Sequence, residues 1–154
     1  MNQMITSVTS VDEVSLVSLI GLPPQSGVAA VTLEMVAKIG INVDMITYAE
    51  KPGGTTDLSF TLPDADIAKL IAMTAPFRTK HPNIAVSVNS GNCKLIAYGP
   101  GMREHTGVAA ALFSALTRIG VPFKLVTTSE VDISVLVDAE HAGCLSALKK
   151  ELGI

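Results

Sequence analysis

Tryptophan is absent, and aromatic residues make up only 4% of the 154 residues. That is too few for the stacking platforms with which proteins read single-stranded RNA. Positive charge is not in excess either: 11 Lys and Arg stand against 14 Asp and Glu, a net charge of −3. Nothing in that balance attracts nucleic acid or an anionic membrane surface. The two cysteines, Cys93 and Cys144, lack the spacing of a metal site or a disulfide framework. They read as the reduced thiols of a cytoplasmic protein. His81, His105 and His141 are scattered, and no G-x-S-x-G motif is present. Zinc spacing is therefore missing, and no metal, cofactor or catalytic group is expected. Residues 15–33 carry no charge, which is nearly a membrane-spanning length. That stretch, however, contains Gly21, Pro23, Pro24, Gln25, Ser26 and Gly27, and it reads as a strand, a loop and a helix start. The opening MNQMITSVTS has no basic start followed by an apolar run, so no signal peptide is expected.

Apolar residues are plentiful. They form 48% of the chain against 16% charged, enough to bury a good core and to argue against disorder. They also repeat. GVAA stands at 27–30 and again at 107–110, and Ile39-Gly40 returns as Ile119-Gly120 at the same offset of 80. After Gly107 the apolar positions are Val108, Ala111, Leu112, Ala115, Leu116 and Ile119, one face of an amphipathic helix. Eighty residues earlier stand Val28, Val31, Thr32, Met35, Val36 and Ile39, with Thr32 alone breaking the face. Gly40 and Gly120 are suited to the left-handed turn that ends a helix.

Strands are predicted on both sides of each helix. They cover 14–20 and 94–98 before it, then 41–48 and 123–128 after it, then 56–62 and 132–137 beyond a hairpin. In the last pair Leu58, Phe60 and Leu62 alternate with Asp57, Ser59 and Thr61, and Ile133, Val135 and Val137 repeat the alternation, as in a sheet with one buried face. DLSF and DISV match at an offset of 75, so the first hairpin is five residues longer, by the glycine-rich KPGGT. Second helices follow, with Asp64 and Asp138 as expected caps, the first ending near Pro76 and the second covering about 140–152. Strand, helix, strand, strand, helix, strand is the split βαβ unit. The first copy closes with a strand over 84–88, whereas the second ends at its helix. The unassigned β-rich segment 4–9 is expected to supply the missing strand, because an unpaired edge would invite aggregation. The expected fold is therefore α+β, two ferredoxin-like βαββαβ modules. Residues 11–90 form the first, and residues 91–154 plus 1–10 form the second.

The run "GVAA, helix, IGINVDMI, hairpin, GTTDLSF" resembles the first ACT module of the aspartate kinase regulatory region. "GPGMREHTGVAA, helix, TTSEVDISVLV" resembles the second. The chain's length is similar to that of a small regulatory (β) subunit, and equally to that of a C-terminal regulatory region. The resemblance implies a homodimer built through ACT modules. It implies an amino-acid effector of the lysine or threonine class, lying between the first module of one chain and the second of its partner. It also implies a catalytic domain or subunit of aspartate kinase, a phosphotransferase acting on a carboxyl group, as the thing controlled. KPGGTT at 51–56 is not a kinase signature, because it lies in a hairpin and a strand follows it.

Elementary chemistry suits such a ligand. Its carboxylate needs N–H donors, which are unpaired at a helix start, and Gly27-Val28-Ala29 and Gly107-Val108-Ala109 are such starts. Asn42 and Asp44, two residues apart, would share one face of a strand and offer the ammonium a carboxylate. The resemblance adds Ser26, Tyr48, Thr106, Pro122, Phe123, Thr128 and Ser129 to the expected effector contacts.

Some positions depart from the family pattern. The loop before the first helix reads Pro24-Gln25-Ser26-Gly27 without an acidic residue, Tyr48 replaces a common glutamine, and Pro122-Phe123-Lys124 replaces Asn-Ile-Glu. These departures support a second reading, a structural dimerisation subunit with degenerate effector sites.

Overall fold

The computed structural model describes residues 4–154. It divides into two compact units, Glu13–Ser90 and a second made of the segment up to Asp12 with Gly91–Ile154. Two long strands, β1 (Ser7–Leu22) and β4 (Ala85–Tyr98), contribute residues to both. β1 passes from one unit to the other at Glu13, with φ 57°, and β4 does so at Gly91, with φ 76°. The left-handed conformation at each point leaves the strand unbroken.

The Glu13–Ser90 unit contains α1 (Val28–Lys38), β2 (Ile46–Glu50), β3 (Thr56–Pro63) and α2 (Ile67–Lys80), with a 3-10 turn, Asp64–Asp66, before α2. Its strand order is β2-β3-β1-β4, with β1 and β2 both antiparallel to β3. Leu58, Phe60 and Leu62 of β3 oppose Leu19, Val17 and Ser15 of β1. With Val36, Leu70 and Phe77 from the helices, all of these but Ser15 belong to the apolar core.

The second unit contains a 3-10 turn (Pro100–Glu104), α3 (Val108–Arg118), β5 (Phe123–Thr128), β6 (Asp132–Val137), a 3-10 stretch (Ala139–Cys144) and α4 (Leu145–Leu152). Its order is β1-β4-β6-β5, the same ferredoxin-like arrangement, with the N-terminal part of β1 as fourth strand. Val8 is fully buried in this core beside Leu95, Leu112, Leu116 and Val135. The Thr6 N–H donates to the Tyr98 carbonyl at 2.8 Å.

The repeat is reproduced in detail. α1 and α3 both have 11 residues and begin one residue after a left-handed glycine, Gly27 (φ 69°) or Gly107 (φ 86°). Each ends in the same motif: Ile41 N–H donates to the Val36 carbonyl at 3.2 Å, and Val121 N–H to the Leu116 carbonyl at 2.9 Å. Thr32, the break in the apolar face, is buried. Its hydroxyl donates to the Val28 carbonyl at 2.7 Å, one turn back. Because that carbonyl sits within reach of a helical N–H as well, Thr32→Val should leave stability unchanged or raise it by up to ~1 kcal/mol in urea unfolding.

Several expectations are corrected. The strands expected at 4–9 and 14–20 are one strand, and so are those at 84–88 and 94–98, because a single left-handed residue ends neither. The second strand starts at Ile46, not at residue 41. Before it, Asp44 N–H donates to the Thr61 carbonyl at 3.0 Å and Met45 N–H donates to the Thr61 hydroxyl at 3.0 Å. Two residues thus converge on one partner, and the ladder is irregular there. α2 continues past Pro76 to Lys80; Pro76 and Ala72, whose carbonyl the ring deprives of a donor, are both exposed to water. Asp64 is not the N-cap of α2, and Asp138, at the N-cap of the 3-10 stretch before α4, makes no side-chain capping bond. Asp64 instead accepts the Ser15 hydroxyl at 2.6 Å, and Asp138 accepts Lys124 at 2.6 Å. The segment before α4 is 3-10 up to Cys144. Of the expected α1 face, Val31 and Ile39 are exposed. KPGGT forms a hairpin turn, with Lys51 N–H donating to the Thr55 carbonyl at 2.8 Å and Gly53 and Gly54 left-handed.

Candidate functional site

A cleft of about 480 Å³ opens in the second unit at the head of α3. Gly107, Val108 and Ala109 form one wall, and Thr128 and Ser129, where β5 turns toward β6, form another. Five of the sequence-predicted residues therefore meet in one place. No side chain caps α3, so its first N–H groups have no partner within the helix. The Gly107 backbone is left-handed, a conformation in which a side chain is strained, and an added Cβ there would meet nothing within 4 Å.

The cleft also includes residues that sequence reasoning did not assign to the site: Met102, Arg103, Glu130 and Ile133. Arg103 and Glu130 form an ion pair between the 3-10 turn and the β5–β6 hairpin, with both side chains largely exposed. His105 also lines the cleft, and its Nδ1 lies 2.8 Å from the Gly101 carbonyl. A carbonyl only accepts, so Nδ1 carries the proton. Ser129 is occupied by its own turn: its hydroxyl donates to Asp132 at 2.6 Å and accepts the Val131 and Asp132 N–H groups at 3.2 and 3.1 Å.

Thr106 is exposed just before Gly107. Phe123 packs on Phe113, ring centroids 4.7 Å apart, as part of the core fringe, and neither it nor exposed Pro122 lines the cleft. The lysine beside them pairs with Asp138 at 2.6 Å. That hydrogen bond, and then the lysine's charge, hold the Asp138 carboxyl below its ordinary value. A depressed folded pKa contributes stability that is present above the unfolded Asp value, near ~3.9, and is lost as pH falls through the folded one. Asp138→Asn should therefore be slightly less stable than the parent at neutral pH, the difference closing below about pH 4 in acid titrations followed by circular dichroism.

The corresponding residues of the first unit are the exposed Ser26 and Gly27, buried Val28 and half-buried Ala29 at the start of α1. Here the Ser26 hydroxyl accepts the Val28 N–H at 3.4 Å. Asn42 and Asp44 are exposed in the irregular segment before β2, and Tyr48 is exposed on β2. Burial pushes Cys93 up to about 12 and raises Cys144 as well. Among the described residues no cluster suited to a metal ion is present, and no helix is long and apolar enough to cross a membrane.

The ACT domain family model matches residues 95–152, the part that forms the cleft and its core. One chain of a crystal structure of aspartokinase alpha and beta subunits is 33% identical, over 97% of this chain and 99% of that one, with a TM-score of 0.83. This chain belongs to the aspartate kinase family, as a regulatory ACT part. The regulatory subunit of aspartate kinase from Thermus thermophilus, solved in a ligand-free form, is 27% identical over 96% of this chain and 98% of that one, with a TM-score of 0.85. Aspartokinase from Helicobacter pylori is 34% identical over 82% of this chain. The chain spans about a third of the length of that curated relative. What matches is thus the ACT region of an aspartate kinase.

Proposed function

We propose that this regulatory ACT chain binds an amino-acid effector of the lysine or threonine class at a homodimer interface between modules, and so controls an aspartate kinase catalytic domain or subunit in amino-acid biosynthesis. The observation that carries the reading is the cleft in which Gly107, Val108 and Ala109 meet Thr128 and Ser129. Backbone donors there suit a carboxylate. A dimer has support in the first unit. Val31 and Ile39 on α1 are exposed apolar side chains, and so are Ile46 and Tyr48 on β2, an edge strand of the sheet. Asp44, exposed near them, supplies a carboxylate for an ammonium. An effector regulates only through differential affinity for two arrangements, typically about 1–3 kcal/mol of coupling.

The test is a thermal-shift panel of amino acids, with light scattering for the oligomeric state. A dimer whose melting temperature rises with lysine or threonine at millimolar concentration is expected, with the response weakened in Asp44→Ala. A dimer indifferent to every amino acid would leave the second reading, a dimerisation subunit with degenerate sites. Pro24, Tyr48 and Pro122 are the observations that favour it.

A further inference from the structure

We propose that the Arg103–Glu130 ion pair is a selectivity latch on the second module's cleft. An α-amino acid opens it by presenting its own carboxylate to Arg103 and its ammonium to Glu130. The inference rests on the reading of the chain as an amino-acid sensor, and it names the two side chains that make the sensor require both charges.

Three observations carry it. First, the two residues come from separate loops, the Pro100–Glu104 turn and the β5–β6 hairpin, yet they line one cleft and hold each other across it. A ligand bearing both charges can replace the pair without leaving either group alone, whereas a ligand with one charge strands the other. Both side chains are more than half exposed, 62% and 71%, so the pair is weak and readily exchanged.

Second, both supports are tied by hydrogen bonds. Met102 N–H donates to the Gly99 carbonyl at 3.1 Å and His105 Nδ1–H to the Gly101 carbonyl at 2.8 Å, bracketing Arg103. Ser129 closes the turn that carries Glu130 through its bonds to Val131 and Asp132. Opening the latch therefore needs only side-chain rotation on loops held in this way, which keeps the ordering cost of binding small.

Third, the pair separates the two copies. At the offsets of 80 and 75 that relate the repeats, Arg103 corresponds to Pro23 and Glu130 to Thr55. The charges of the first hairpin are tied down differently: Lys51 pairs with Asp57 at 3.1 Å, and Asp57 also accepts the Gly21 N–H at 3.0 Å. The Arg–Glu pair is thus a feature of the second module alone.

The experiment is calorimetric titration of the full chain with L-lysine and L-threonine, and with the α-amide and Nα-acetyl form of each. The wild type, Arg103→Gln and Glu130→Gln are compared, with circular dichroism confirming the fold. Wild type should bind at least one of the free amino acids and prefer it over both derivatives. Arg103→Gln should weaken binding of the free amino acid at least fivefold and no longer favour it over the amide. Glu130→Gln should do the same for the acetyl form. A purely structural role would not change that pattern of preference. Losses smaller than fivefold, or an unchanged preference in the variants, overturn the latch while leaving the sensor reading intact. A wild type that binds neither free amino acid overturns both.

Discussion

Gly99→Ala is expected to destabilise the second module by ~3 kcal/mol or more, since the backbone itself must move to admit the methyl group. The backbone at Gly99 is extended, with φ −163°, so conformational freedom is not the reason for a glycine. The reason is crowding: a Cβ would lie 1.7 Å from the Met4 carbonyl oxygen and 3.3 Å from the Ile5 Cα. The Met4 carbonyl is main chain and cannot rotate aside. The N-terminal segment would have to lift, which strains the Thr6–Tyr98 hydrogen bond and disturbs the buried Ile5 and Val8. Urea unfolding should report the loss, and amide exchange should locate it at Thr6. Gly101→Ala is the control. Its Cβ would meet only the His105 ring at 3.7 Å, ordinary contact, and stability should barely change.

Phe60→Ala should cost ~3–5 kcal/mol, mostly from the cavity left behind. Phe60 is fully buried on β3, opposite Val17 of β1 and Ile46 of β2. It stands at the centre of the first module's core, with Leu58, Leu62, Leu70 and Phe77 around it. Domains have total stabilities of about 5–15 kcal/mol, so the variant should be close to unfolding in that module at physiological temperature. Loss of amide protection within Glu13–Ser90, read by hydrogen exchange, checks the placement.

Much of this fold is legible in the residues because it is written twice. GVAA and the terminal Ile-Gly locate both helices. The alternation of β3 identifies Leu58, Phe60 and Leu62 as its buried apolar residues, but β6 departs from a one-faced pattern, because Ser134 and Leu136 are buried as well as Ile133, Val135 and Val137. What pattern reading misses is governed by contacts that have no local signature. Residues 89–93 fall between two expected strands, yet β4 runs through them, because one left-handed glycine does not end a strand whose neighbours keep their pairing. Asp64 and Asp138 look like caps but are claimed by Ser15 and Lys124, partners 49 and 14 residues away. At the site, the helix start is readable as a repeat feature, and Thr128 and Ser129 are expected from the resemblance to the family. Arg103 and Glu130 are not, because no periodicity relates two exposed charges on separate loops. Their only sequence signal is that they stand inside GMREHTG and TSEVDIS, the two runs most similar to the ACT family.

The central claim is that the glycine-led helix starts of this doubled scaffold are where a small zwitterion lodges. An NMR titration of the isotopically labelled chain with lysine and threonine tests it directly. Saturable shifts are predicted in the amides of Gly107, Val108 and Ala109 or of Gly27, Val28 and Ala29, accompanied by Thr128. Spectra unchanged up to millimolar ligand, or shifts confined to residues remote from both helix starts, would contradict it.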